Sequence, residues 1–306
     1  MPFLSEFHPV TLADRDTVLA HTAHNVYQNC DYSFSNLYGW SKVYGTELAF
    51  HKGLMFVRFS NPSQERKAYL MPVGDGDLKE GLLDLQKDLL AQGEEHIIMM
   101  SVTNNALEEL KDLEPAQIRD FTTRDYCDYI YSRKSLATLA GKKLQSKRNH
   151  INKFERLYPD WHYEEITDDN VRKCIALEGV WLENTDTDDE KIREKKVVLD
   201  ALQNREAIGL RGGCIMVGDR VVAFSLGMPV TADTFDVNIE KADTEYEGAF
   251  AIINREFARH IPEQYVFLNR EEDLGVEGLR KAKLSYKPEY LLCKNTVLLS
   301  FDVKGA

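Results

Sequence analysis

The chain has 306 residues, 43% of them hydrophobic and 29% charged, with five cysteines and a formal charge of −12. That balance excludes a disordered chain, a collagen-like repeat and a small disulfide scaffold, and the length suits two cores better than one. With 38 basic against 50 acidic residues the surface as a whole repels phosphate and anionic lipid, so an anionic partner needs a local basic patch.

The longest apolar run is the five residues 249–253, where a membrane helix needs about 20, and the opening MPFLSEFHPV lacks the regions of a signal peptide. These features predict a soluble, cytoplasmic protein. Cys30, Cys127, Cys174, Cys214 and Cys293 are scattered with no C-x-x-C pair, which points to free structural thiols in a reducing compartment.

In chain order, residues 11–27 read as a helix with Leu12, Val18, Leu19 and Val26 on its apolar side, followed by an aromatic segment. LAFHKGLMFVRF (48–59) and ERKAYLMPV (65–73) read as strands bounded by turn residues. Residues 74–93 predict a leucine-rich helix ended by Gly93, residues 96–102 a buried strand, and residues 106–113 a short helix. The second half predicts a helix from Thr167 through Trp181, a hairpin hinged at Gly218-Asp219 and a strand TFDVNIEKAD (234–243). It then predicts a helix over 247–261 with Phe250, Ile253 and Phe257 on one stripe, a strand over 265–273, a helix over 276–286 and a last strand over 290–299. The reading is an α/β (α+β mixed-sheet) chain of two halves, 1–130 and 131–306, the second opening on a basic linker helix, 133–156. The order of elements in the second half is that of an acetyltransferase-like unit.

Residues 133–156 carry eight Lys or Arg against one acid. A solvated basic face explains such a run as readily as an anion site. The cluster Lys147, Arg148, Asn149 and His150 favours the second, because it mixes point charges, a bidentate fork and neutral donors suited to phosphate or RNA. Strand alternation over 234–243 puts Phe235, Val237 and Ile239 on one face and Asp236, Asn238 and Glu240 on the other. Alternation over 265–273 puts Asn269 and Glu271 together in the same way. These polar faces fit either an edge strand or a cleft wall. In a parallel pair Glu240 and Glu271 would crowd one cleft and yield a general base. Gly248 and Ala249 open a helix whose backbone N–H groups could meet a phosphate or an oxyanion, although three acids stand nearby. Lys283 and Tyr286 share a helix face beside Arg280, as ordinary surface groups or as cations that neutralise charge in acyl transfer. No P-loop, zinc-protease, EF-hand or G-x-S-x-G motif occurs, and no metal is expected.

The runs FSNLYGW (34–40), KRNHINKF (147–154), AFSLG (223–227), EKAD with EGAFAIINREFA (240–258) and NREEDLGVEGLRKAKLSYKP (269–288) carry a resemblance. They resemble stand-alone bacterial proteins similar to the C-terminal domain of phosphatidylglycerol lysyltransferases. That resemblance implies tandem acetyltransferase-like (GNAT) domains, donor and acceptor sites in the second, tRNA contact along the basic segment, and a charge-neutralising role for Lys283. It implies an acyltransferase using aminoacyl-tRNA, with a small-molecule or lipid-headgroup amine or hydroxyl as acceptor. The region of Gly248 carries only part of the loop that binds coenzyme A. An acetyl-coenzyme A N-acetyltransferase and a non-catalytic RNA- or anion-binding module are the alternatives.

Overall fold

The computed structural model describes residues 3–60, 66–183 and 189–303. The chain runs through β1 (His8–Pro9), α1 (Arg15–Thr22), α2 (Phe34–Gly39), α3 (Ser41–Tyr44), β2 (Glu47–His51), β3 (Leu54–Ser60), β4 (Lys67–Tyr69) and β5 (Val73–Gly74). Next come α4 (Leu78–Ala91), β6 (Ile97–Thr103), α5 (Asn104–Asp112), β7 (Gln117–Thr122), β8 (Asp128–Ser132), α6 (Arg133–Thr138), α7 (Gln145–Leu157), β9 (His162–Glu165), α8 (Val171–Glu183) and α9 (Asp189–Gln203). It ends with α10 (Arg205–Ile208), β10 (Arg211–Val217), β11 (Arg220–Pro229), β12 (Thr234–Ala242), α11 (Ala249–His260), β13 (Phe267–Asn269), α12 (Glu277–Ser285), β14 (Tyr290–Leu292) and β15 (Lys294–Ser300). Two compact units result: Met1–Asp128 with Leu292–Ala306, and Tyr129–Leu291.

The first unit's sheet has the order β1-β2-β3-β4-β6-β15-β7, with β5 on β3. Its parallel pair, β4 and β6, is joined through α4, as a parallel connection requires a crossover. Asp77 starts α4 by accepting the Glu80 N–H at 2.8 Å, and Leu82, Leu85 and Leu89 bury one stripe of it. The second unit's sheet has the order β14-β8-β13-β12-β11-β10-β9, with β12 and β13 parallel and joined through α11. Both sheets thus follow one plan. Antiparallel strands lead to a helical crossover and a parallel neighbour, and a strand from elsewhere in the chain slots in beside it: β15 in the first sheet, β8 in the second. This is a mixed α/β fold with two mixed sheets.

The elements depart from the sequence reading where local chemistry outweighs periodicity. Helix α1 stops at Thr22 because Asn25 Oδ1 accepts the Tyr27 N–H at 2.9 Å and turns the chain, leaving Val26 69% exposed. The expected basic linker helix is two helices, since Leu139 and Gly141 both adopt left-handed backbone between α6 and α7. On α11 the buried stripe includes Ile252, Ile253 and Phe257, whereas Phe250 is 41% exposed. The expected last strand breaks at Cys293 into β14 and β15, which belong to different sheets.

One irregularity decides the site. Leu226 pairs with Ile239 and Met228 with Asp236, so β12 carries one residue more than β11 between those pairs. Such a bulge reverses the alternation of side chains beyond it. Phe235 and Val237 before it, and Ala242 after it, share the core against α11. Asp236, Asn238 and Glu240 therefore do not line one face, as alternation alone predicts. Glu240 turns to the α11 side, and Asn238 stays with Asp236, donating to its Oδ2 at 2.7 Å.

Candidate active site

Glu240 lies near the end of β12, past the last residue of β13 paired with β12, Asn269. Beyond Asn269 the chain turns, with Glu271 at φ 54°, so strand alternation does not extend to Glu271. The group brought against Glu240 is Arg270, whose Nη2 reaches Oε1 at 2.7 Å, with both side chains nearly nine-tenths buried. From α11, Asn254 Nδ2 donates to Glu240 Oε2 at 3.3 Å. From β11, Ser225 is the cross-strand partner of Glu240. Four polar side chains from four segments thus meet on the inner face of the second unit.

Aromatic and cationic groups enclose this cluster. Tyr286 is 5% exposed, and its ring carries the Lys147 ammonium 3.9 Å from its centre and the Arg270 guanidinium carbon at 5.0 Å. The Arg270 guanidinium also lies 5.6 Å from the Tyr131 ring centre. Burial, and then the Arg270 charge, hold the Lys147 ammonium below the ordinary lysine range, with Glu240 pulling the other way. Burial opposes charge on Arg270, yet Glu240 and its hydrogen bond outweigh it and keep the guanidinium charged. Burial raises the Tyr286 hydroxyl above its usual range.

The strap that presents Arg270 is fixed from below. Lys283 donates to the carbonyl of Arg270 at 2.5 Å and to that of Glu272, while Tyr131 donates to the carbonyl of Lys283 at 2.7 Å. Asp273, fully buried, accepts Tyr129 Oη at 2.5 Å and holds Arg280 through two bonds of 2.9 and 2.7 Å. Asn269 Oδ1 accepts the Glu271 N–H at 2.7 Å. Lys283, Arg280 and Asn269 thus brace the residues around Arg270.

Gly248 caps α11 at φ 95°, and a Cβ there would stand 2.7 Å from the His150 carbonyl oxygen. Close packing of α7 on α11 therefore accounts for this glycine. The Ala249 N–H is engaged by the Tyr246 carbonyl at 2.9 Å, and the Glu245 N–H by Asp243 Oδ1 at 3.0 Å. In the basic segment Arg148 donates to the carbonyls of Leu139 and, at 2.7 Å, Gly141, and Lys153 pairs with Glu247 at 2.5 Å. Lys134, Lys142, Lys143, Asn149, His150 and Arg156 are exposed. Lys147 is the residue of that run that enters the cluster.

Three buried atoms in the cluster have no hydrogen-bond partner among the described residues: Ser225 Oγ, Asn254 Oδ1 and Arg270 Nη1. Sequence reasoning singled out none of these three residues. The available signal was small: a serine inside the apolar run VVAFSLG, and an arginine at the end of a short apolar strand. Among the described residues one group has metal-ligand proximity, Cys30, Asp31 and Asp128 in the first unit. Its centre is taken by the Lys294 ammonium, 2.7 Å from Asp128 and 3.0 Å from Asp31.

Residues 25–294 match the family described as phosphatidylglycerol lysyltransferase, C-terminal. A conserved protein of unknown function from Bacteroides thetaiotaomicron is 46% identical, with a TM-score of 0.90 over 96% of this chain and 99% of its own. The C-terminal domain of a putative lysylphosphatidylglycerol synthetase from Agrobacterium fabrum has the same fold at 13% identity, with a TM-score of 0.65 over 96% and 98% of the two chains. An uncharacterised protein of Mycoplasmoides gallisepticum is 23% identical over 85% of this chain and 89% of its own. Among the described residues no helix is long and apolar enough to cross a membrane.

Proposed function

Because the chain belongs to the phosphatidylglycerol lysyltransferase C-terminal family, we propose that it is an acyltransferase whose second unit moves an aminoacyl group from tRNA to an amine or hydroxyl acceptor. The observation that carries this reading is the set of unpartnered buried atoms on Ser225, Asn254 and Arg270, all gathered on Glu240. Each such atom costs about 1–3 kcal/mol when left unmatched, so a cluster of them supports a site completed by its substrate. Donors and acceptors are both represented, as acyl transfer requires.

In this mechanism the acceptor amine or hydroxyl gives its proton to Glu240 as it attacks the ester carbonyl. Arg270 Nη1 donates to the oxyanion that forms, in a buried setting where such a bond is strong. The tetrahedral intermediate collapses, the ribose oxygen leaves, and Glu240 returns the proton to it. Lys147 adds a second cation over Tyr286, and Asn254 Oδ1 accepts from the acceptor amine. Lys283 acts through Arg270, by fixing the strap that aims it. The exposed cations of 133–156, with Asn149 and His150, supply the tRNA contact, and a small molecule or a lipid headgroup supplies the acceptor.

The engaged Ala249 and Glu245 amides, together with the carboxylates of Asp243, Glu245 and Glu247 close by in sequence, count against a coenzyme A pyrophosphate at the start of α11. A thermal-shift comparison of charged tRNA, uncharged tRNA, acetyl-coenzyme A and coenzyme A tests this choice, because a ligand specific to the native state raises its apparent stability. A larger rise with charged than with uncharged tRNA, lost in Lys142→Glu/Lys143→Glu, is expected. A rise with acetyl-coenzyme A alone overturns the donor assignment, and equal rises with the two tRNA samples favour a binding module.

A further inference from the structure

Cys127 and Cys293 stand with their sulfurs 3.2 Å apart in the first unit, although 166 positions separate them in sequence. Of the five cysteines, Cys30, Cys127, Cys174 and Cys214 are buried, and Cys293 alone is partly exposed. Cys127 immediately precedes β8 and Cys293 lies between β14 and β15. The pair therefore marks both places where the chain passes between the two units in sequence, and the whole second unit is the loop between them.

We propose that Cys127 and Cys293 are a thiol modification site, a reversible dithiol–disulfide pair that staples the C-terminal strand β15 into the first unit when a low-molecular-weight disulfide is present. Forming the bond requires the sulfurs to close by about 1.2 Å, from contact to the roughly 2.05 Å of a disulfide. The partly exposed Cys293 reacts first. Its thiolate attacks one sulfur of the small disulfide RSSR, forms a mixed disulfide and expels RS⁻. Cys127 then loses its proton to solvent and attacks the Cys293 sulfur, forming the Cys127–Cys293 bond and expelling the second RS⁻. The two expelled thiolates take up the two protons, so the protein dithiol is oxidised by two electrons and RSSR is reduced to two RSH. Burial and then the Cys293 neighbour push the Cys127 thiol up to about 11, consistent with its role as the second, resolving thiol. Cys30, Cys174 and Cys214 stay out of reach of the oxidant.

The test treats the full chain with oxidised glutathione, alkylates the remaining thiols after unfolding, and maps disulfides by peptide mass spectrometry without reduction. The expected product is a single cross-link joining the Cys127 and Cys293 peptides, reversed by dithiothreitol, with the other three cysteines alkylated. Cys127→Ser is expected to stop at glutathione on Cys293, and Cys293→Ser to take up none. Closing so long a loop removes freedom from the unfolded chain, and the oxidised protein is expected to melt about 5 °C higher than the reduced one. Persistence of the mixed disulfide on Cys293 in the wild type, or a Cys293 cross-link between two chains, overturns the pairing. An unchanged or lower melting midpoint in the cross-linked protein overturns the stapling.

Discussion

At the scale of single residues, Ser225 separates a catalytic cluster from a structural one. Its Oγ is buried and has no partner among the described residues, so Ser225→Ala removes a hydroxyl whose desolvation brings no folded-state bond. Stability in urea is expected to hold within about 0.5 kcal/mol or to rise slightly, while transfer slows roughly tenfold. A destabilisation of about 2 kcal/mol with unchanged transfer would assign the hydroxyl to the fold. Arg270 behaves differently, since it both pairs with Glu240 and offers Nη1. Arg270→Met is expected to lower stability by about 3–5 kcal/mol through the buried carboxylate it strands, whereas Arg270→Lys should keep most of the stability and still lose transfer. The sequence singles out Glu240, Lys283 and Tyr286 but not the contacts they make. The bulge in β12 turns Glu240 away from Asp236 and Asn238, and an extra residue in one strand leaves no mark on the period-2 pattern of that strand alone.

At the scale of elements, close approach of helices accounts for Gly248, which the sequence offers as the opening of a helix able to meet a phosphate or an oxyanion. Gly248→Ala would require left-handed backbone and bring a Cβ to 2.7 Å from the His150 carbonyl. The expected cost is about 1–3 kcal/mol, read as a lower urea midpoint, with the response to charged tRNA preserved in the folded fraction. Elements with a strong apolar period, such as α4 and the hairpin of β10 and β11, were readable from sequence because their own burial pattern specifies them. Strand β7 was not, since it is mostly exposed and carries no alternation. Strand β8 is five residues long, and its partner β13 is 135 residues further along the chain, a pairing no local pattern announces. The same holds for β15, which continues the sequence of β14 yet joins another sheet.

At the scale of the whole molecule, a buried ion-pair network ties the returning C-terminal strand into the first unit. Lys294, 3% exposed, lies 2.7 Å from Asp128 and 3.0 Å from Asp31. Removing its charge in Lys294→Met is expected to cost about 3–5 kcal/mol. Burial pushes the Asp31 carboxyl up, but Lys294 and the hydrogen bonds from Ser101 and Asn29 outweigh it and hold it below its usual range. Its contribution to stability is therefore present above the ordinary aspartate pKa and is lost as pH falls through the lower folded value. Acid unfolding below pH about 4 should accordingly be blunted in Asp31→Asn relative to wild type, as a urea-midpoint series against pH would reveal. The family resemblance was visible in the sequence because it rests on long motifs, whereas the return of residues 292–306 to the first unit, in place of the expected division into 1–130 and 131–306, rests on strand pairing alone. The central claim is that the Glu240 cluster transfers an aminoacyl group, and the direct measurement is the loss of labelled amino acid from charged tRNA in the presence of a cell-extract acceptor pool. The account predicts transfer into an acceptor-bound product by the wild type and a fall of about 100-fold or more in the folded fraction of Glu240→Gln, a change that also costs about 3–5 kcal/mol of stability by stranding the buried Arg270 charge. Transfer that survives Glu240→Gln undiminished would contradict it.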